Sequence, residues 1–349
     1  MAKRVLVAPM DWGLGHATRC VTIVHELLLQ GHDVILGTTP VTKKILVTEF
    51  PNIEQVELVP YKIKYSKYLP VWWNILIDFP RLDRIVRQEI NRTAIIVREK
   101  KIDTIISDNR YGCYSSATKN ILLTHQLKIK SPVFEKKGNE LLKKKLKHFD
   151  EIWVPDNEDV NHNLSGELSH GNFNHPPIKY IGNLSRFNFL ASENKKEFAF
   201  SFLISGIEPK RTQFENEAID FINSSSETCS LIRGTEKPLE KKITNYKCEI
   251  FDFPSTFTIE NILNTSGFVV CRSGYSSIMD LAKLRIPAFL LPTPGQTEQE
   301  YLADYLDGKF GFRKITSVND IKKLLEIKEV NIKGFVNQQK LNESIGSLL

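Results

Sequence analysis

The chain has 349 residues, 41% hydrophobic and 25% charged, values close to those of average globular proteins, so disorder along its length is excluded and two domains are expected. The start leads into an apolar run that meets Asp11 and Trp12 without a small-residue cleavage site, and no stretch approaches the ~18 apolar residues of a membrane span, so neither a leader nor a spanning helix is expected. The net charge of +6 is uneven: residues 60–150 hold 20 Lys and Arg against 9 Asp and Glu, a field that attracts phosphates, anionic headgroups or nucleic acid without choosing among them.

Apolar strand-like runs fall at residues 4–8, 33–38, 55–59, 104–107, 121–124 and 152–154, with helical patterns between them, the pattern of a parallel sheet with crossover helices. The helix after the first run places Ala17, Val21, Val24 and Leu28 on one face, which predicts packing on the sheet. Residues 156–177, rich in Asn, His, Gly and Pro, read as irregular. A second series follows at 198–204, 230–233, 249–253, 268–271 and 288–291. The chain therefore reads as α/β, with two Rossmann-like domains in tandem over residues 1–183 and 198–333. A linker is expected at 184–197, and a C-terminal helix over 334–349 that returns to the first domain. Five cysteines, Cys20, Cys113, Cys229, Cys248 and Cys271, are scattered without C-x-x-C spacing, which suits a reducing cytoplasm.

The first motif is Gly13-Leu-Gly15-His16, between the first strand and its helix. In an open parallel sheet this turn lies at the carboxyl ends of the strands, where ligands bind. It is not a dinucleotide fingerprint: the third glycine falls at Thr18, and the second strand ends in Leu36-Gly37-Thr38 without an acid for a ribose. His16 reads either as a capping, solvated histidine or as a general base whose imidazole titrates near neutrality. Asp108, ending the strand at 104–107, would face the same crevice and could orient His16. Asn109, Arg110, His125 and Gln126 also follow strands and are acceptor-side candidates, with Gly13 and Gly15.

The second series carries two further motifs. Ser205-Gly206-Ile207-Glu208-Pro209-Lys210-Arg211-Thr212 follows a strand, and Thr212 with Glu215 fits the capping box of a new helix. A Ser-Gly turn, two cations and a helix start together suit a diphosphate. Cys271-Arg272-Ser273-Gly274-Tyr275-Ser276 then ends a strand at a glycine that admits a phosphate, and Asp280 follows one turn after Ser276, where a carboxylate accepts ribose hydroxyls. The next strand delivers Gln296, Glu298 and Gln299, side chains that bond sugar hydroxyls.

The segment from Val269 to Ala303 resembles the donor half of GT-B glycosyltransferases of the MurG type, which add GlcNAc to a lipid-pyrophosphoryl peptidoglycan precursor. The opening from Gly13 to Arg19 looks like the glycine-rich loop and base histidine of related transferases. The resemblance spans both domains, although only these two motifs are sharp. It implies a GT-B fold, with two parallel sheets facing each other across a cleft, and a UDP-sugar as co-substrate. By that likeness Asp280 holds ribose, Glu298 and Gln299 hold the donor sugar, and Ser273, Gly274, Tyr275 and Ser276 meet the pyrophosphate; Ser205, Gly206, Lys210 and Arg211 stay an anion site read from their own residues. It also implies inversion at the anomeric carbon by a histidine base. The chain departs from the pattern in carrying Ser205-Gly206-Ile207-Glu208 in place of a Gly-Gly loop and Gln299-Glu300 in place of Gln-Gln.

No D-x-D pair occurs, so a metal-independent reaction without a cofactor is expected, with amides, helix dipoles and Lys210 or Arg211 neutralising the leaving group. The segment from Tyr61 to Trp73 mixes aromatics with lysines, and Lys143 to Lys147 add charge to the same domain. That composition suggests either a peripheral contact with an anionic membrane and a lipid-linked acceptor, or aromatics filling a cleft. Nucleic acid is not expected, since no recognised module accompanies the charge. Two other functions fit the same residues: a nucleotide-sugar hydrolase, since Gly15-His16 and Arg19-Cys20 also resemble PseG, and a non-catalytic nucleotide-sugar-binding subunit.

Overall fold

A computed structural model describes residues 2–61, 78–131, 135–171, 173, 176–187 and 196–326. These divide into two compact units, the first ending at Arg186 and the second starting at Phe187. Leu184 and Phe187 are buried, so the expected linker begins on anchored side chains. The helix expected over 334–349 lies outside the described residues, as does the aromatic segment beyond Tyr61.

In the first unit, strands β1 (Arg4–Pro9), β2 (Asp33–Thr38), β3 (Gln55–Glu57), β4 (Thr104–Asp108), β5 (Lys119–Leu123), β6 (Glu151–Val154) and β7 (Ile178–Tyr180) form one sheet in the order β3-β2-β1-β4-β5-β6-β7. Every pairing is parallel. Val5, Leu6, Val7 and Ala8 are fully enclosed because helices cover both faces, which is why this strand reads as an unbroken apolar run. Helix α1 (Gly15–Leu29) follows β1, α2 (Pro40–Glu49) follows β2, α3 (Phe79–Lys100) leads into β4, and α4 (Glu135–Leu146) leads into β6.

The buried face of α1 is wider than its expected stripe. It includes Cys20, Ile23 and Leu27, while Leu28 is only half-buried. The helix packs on β1, β2 and α2 together, so more than one side is covered, and position 27 rather than 28 completes the face. Strand order reverses between β1 and β4, whose last residues Pro9 and Asp108 are register partners. This is the switch point at which an open sheet leaves a crevice.

The second unit repeats the plan with β8 (Phe198–Leu203), α5 (Lys210–Asn223), β9 (Cys229–Ile232), β10 (Cys248–Phe251), α6 (Thr256–Asn264), β11 (Ser266–Cys271), α7 (Tyr275–Leu284), β12 (Ala288–Leu290), α8 (Thr297–Leu306), β13 (Phe312–Lys314) and α9 (Asp320–Glu326). The sheet runs β10-β9-β8-β11-β12-β13, again all parallel. Its core gathers Phe200, Phe202, Phe214, Phe221 and Phe289 from strands and helix α5. Here the switch falls between β8 and β11, with Leu203 beside Cys271, so the turns at Ser205 and Ser273 leave neighbouring strand ends. All five cysteines are free thiols, and Cys248 alone among them is not fully buried.

Candidate active site

Where β1 and β4 end side by side, the turn after β1 brings the start of α1 to the Asp108 carboxylate. Gly13 in that turn has φ +88°, a left-handed value that glycine adopts without strain. His16 Nδ1 lies 3.1 Å from both Asp108 oxygens, so the expected pair is brought together. Arg19, three residues further and on the same helix face, donates from Nε to Asp108 Oδ2 at 2.8 Å and from Nη2 to Oδ1. The same Nη2 is 3.0 Å from His16 Nδ1, and Nη1 is 3.3 Å from His125 Nδ1. Cys20 donates its Sγ hydrogen to Asp108 Oδ2 at 3.6 Å. Asp108 and Arg19 are enclosed, whereas the His16 side chain is 18% exposed, so the imidazole is the member of this trio that meets solvent.

The electrostatics follow from this placement. Burial lowers the His16 pKa below its ordinary 6.5; Asp108 pulls it back up and Arg19 pushes it further down. Burial alone would raise Asp108, but Arg19 and His16 outweigh it and hold the carboxyl far below the usual carboxylate range. Burial, with Asp108 adding to it, drives the Cys20 thiol well above its normal value, so it is not a nucleophile.

The acceptor-side candidates separate. Asn109 has a left-handed backbone, φ +55°, and its buried Oδ1 has no hydrogen-bond partner. His125 is buried against Arg19, and Gln126 donates its backbone N–H to Thr124 Oγ1. Arg110 is a correction: it is fully enclosed, its Nε bonds Glu89 at 2.6 Å, and its remaining donors reach the carbonyls of Pro9 and Val59. Glu89 also accepts from Tyr61 Oη at 2.8 Å and from the Gly112 N–H. Arg110 is therefore part of a closed ion-pair core. Tyr61 is likewise an interior residue and not an interfacial aromatic.

In the second unit the expected capping box is absent. Helix α5 starts after Pro209 without a side-chain cap, and Thr212 donates to Glu208 instead. Glu215 is drawn inward by two guanidinium groups, Arg211 at 2.7 Å and Arg233 at 2.7 Å. Arg211 is thereby committed to Glu215 and is not the free phosphate ligand expected. Gly206, at φ +111°, keeps the turn after β8 open, and Lys210 is half-buried at the start of α5.

After β11, Gly274 caps α7 at an ordinary φ of −75°, and a Cβ there would meet only Gln299 Nε2, at 3.8 Å. Neither backbone nor packing demands glycine at this point. Ser273 is buried and donates its hydroxyl to the Gln299 carbonyl. Gln299 itself is buried, and its Oε1 accepts the Thr293 N–H at 2.9 Å, so it braces the loop before α8 and leaves its amide nitrogen beside Gly274. Glu300 accepts the Gly295 N–H in the same loop. Tyr275 is buried, while Ser276 and Asp280 on α7 and Glu298 on α8 are half-buried.

Sequence reasoning did not assign a role to Arg272. It is buried, lies over the Phe214 ring, and donates to the carbonyls of Leu291, Pro292 and Lys210. Its Nε has no partner, and burial lowers its pKa to about 10. A buried arginine that bonds only carbonyls, with the Glu217 charge near but not paired to it, beside a Ser-Gly turn is a signal that only the folded chain reveals. Among the described residues no group of three or more His, Cys, Asp or Glu side chains gathers as a metal site.

Residues 215–333 match the family described as the glycosyltransferase family 28 C-terminal domain. No curated protein sequence matches the chain. Solved structures are similar over almost its whole length. The glycosyltransferase SnogD from Streptomyces nogalater is 12% identical at a TM-score of 0.64, covering 100% of this chain and 99% of that one. Arabidopsis thaliana UGT89C1 complexed with UDP-L-rhamnose is 15% identical at 0.58, covering 100% and 93%. Acinetobacter baumannii MurG is 12% identical at 0.55, covering 98% and 93%. At these identities the likeness is one of fold, and the fold is GT-B. The domain match adds the class: the chain is a glycosyltransferase of the GT-B type.

Proposed function

We propose that this glycosyltransferase moves a sugar from a nucleotide donor, UDP-linked by first choice, to an acceptor hydroxyl in a single inverting displacement without metal. The observation that carries the proposal is the His16–Asp108 pair at the switch point of the first sheet. With Nδ1–H held by Asp108, Nε2 takes the acceptor hydroxyl's proton as that oxygen bonds to the anomeric carbon. The bond from the anomeric carbon to the diphosphate oxygen breaks, and the nucleoside diphosphate leaves with the electron pair.

The second unit supplies the donor site in this reading. The open turns at Ser205-Gly206 and Ser273-Gly274, with the amides at the start of α7, suit a diphosphate. Gly274 supports this, since a space that neither φ nor neighbours require is explained by a ligand that fills it. Arg272 and Lys210 supply positive charge in place of Arg211. Asp280 is assigned to ribose and Glu298 to the sugar, joined by the Nε2 of Gln299. Among similar structures UGT89C1 is complexed with UDP-L-rhamnose and SpnG with thymidine diphosphate, which favours a pyrimidine nucleotide, UDP by first choice.

A lipid-linked acceptor and contact with an anionic membrane in the cytoplasm remain part of the proposal. They rest on the likeness to MurG and on α4, which exposes Lys136, Lys137, Lys143 and Lys144 while burying Leu142 and Leu146. No helix among the described residues is long and apolar enough to cross a membrane.

The test is a screen of nucleotide sugars for thermal stabilisation, followed by turnover with the hit. Stabilisation by a UDP-sugar, transfer that survives EDTA, and a loss of about 100- to 10,000-fold in kcat for His16→Ala with retained donor binding are expected. Stoichiometric free sugar without acceptor would make the protein a hydrolase, and full activity of His16→Ala would remove the base.

A further inference from the structure

Two groups reach Nδ1 of His16: the Asp108 carboxylate at 3.1 Å and Arg19 Nη2 at 3.0 Å. A ring nitrogen carries either a proton or a lone pair, so Nδ1 donates to the carboxylate or accepts from the guanidinium, never both. A base that works through Nε2 requires the first arrangement. Arg19 cannot then serve the ring by hydrogen bonding, and its part is played on Asp108. Its Nε and Nη2 take one carboxylate oxygen each, the two-pronged pairing that fixes both position and plane.

The groups facing the ring come from three elements. They are Asp108 from β4, Arg19 from α1 itself and His125 from the segment after β5, with Cys20 joined through Asp108. Arg19 is the permanent cation of the set. An aspartate alone beside a buried histidine would orient the ring and also hold a proton on it; an aspartate whose charge is already matched retains only the orienting role.

We propose that Arg19 is a positioning residue that locks Asp108 and, by matching its charge, keeps His16 unprotonated into mildly acidic solution. The proposal rests on the base reading of His16. It separates two tasks that one carboxylate would otherwise perform together, aiming the imidazole and setting its affinity for protons. The direction expected from burial and from Arg19 agrees with this arrangement.

The test follows the His16 ring directly by NMR titration of isotopically labelled histidine in the full chain without substrate. Arg19→Gln keeps a polar group near Asp108 and removes the charge; Arg19→Lys keeps the charge. The His16 midpoint is expected to rise by about one pH unit in the Gln variant and to stay near the native value in the Lys variant. Equal midpoints in native and Gln proteins, or an equal rise in both variants, overturn the proposal. Should the Gln variant not fold, Asp108→Asn is compared with and without Arg19→Met, a pair that leaves no carboxylate unmatched. The midpoint of the double variant is expected to match the native one, because a neutralised carboxylate and no carboxylate act alike on the ring, and a double-variant midpoint clearly below native overturns the proposal.

The acid limb of kcat/KM is then measured for native and Gln proteins. It is expected to follow the NMR midpoint upward, so that activity at pH 6 falls more than at pH 8. A midpoint that moves while the limb stays fixed refutes the base role of His16 and leaves the coupling to Arg19 standing.

Discussion

Glu89 and Arg110 are enclosed by the first unit, with side-chain exposures of 1% and 0%. Each charge is the other's nearest partner, with Asp11 a further carboxylate 3.8 Å from Arg110, so removing one leaves a poorly matched buried ion that water cannot reach. Glu89→Gln and Arg110→Met are each expected to destabilise the protein by about 3–5 kcal/mol, read as a fall in the urea midpoint, while the double variant recovers part of the loss. A double variant no more stable than the singles would contradict this. His16 adds a pH dependence of the same origin. Its folded pKa lies below the ordinary value, so the unfolded chain binds more protons as pH falls through 6.5, and the stability held above that pH is lost downward. His16→Gln should flatten the stability profile between pH 7 and the folded pKa, which urea melts across that window would detect.

Among the elements, α7 gives the clearest separation of fold from function. Gly274→Ala places a methyl where only Gln299 Nε2 stands, at an allowed backbone angle, so its melting temperature is expected to stay within about 2 °C of native. Nucleotide affinity should fall at least tenfold, measured by calorimetry; unchanged affinity would remove the turn from the donor site. At this scale the sequence was legible wherever an apolar run passes through the middle of a sheet, as at Val5 to Ala8. It failed at β7 and β13, three-residue edge strands that carry no apolar run, β7 being half-buried throughout and β13 buried only at Phe312. The capping motif at Thr212 and Glu215 failed for another reason. Local spacing fits the pattern, but Arg233 lies 18 residues away and draws Glu215 inward. Arg19 and Asp108 are separated by 89 residues, so their pairing was open only to strand-order reasoning, which anticipated His16 with Asp108 and missed the cation.

For the whole molecule, part of the basic excess of residues 60–150 is matched by acids from outside that segment. Lys119 pairs with Glu151, and Lys128 and Lys130 share Glu167. What stays unmatched in α4 is the stripe of exposed lysines, so binding to anionic vesicles, if observed, should weaken steeply with salt and fall when Lys143 and Lys144 are changed to Gln. A donor nucleotide that binds only the native state adds about 2.7 kcal/mol at a hundredfold excess over its Kd, which should raise the melting temperature by several degrees.

The thiols offer a practical opening. Four of the five are sealed inside, and the fifth, Cys248 on an outer strand, has its pKa pushed to about 11 by burial, with Glu249 adding to it. Slow alkylation at mildly alkaline pH should therefore label this unaltered chain at one position, giving a single fluorescent reporter on the second unit without any cysteine being engineered away.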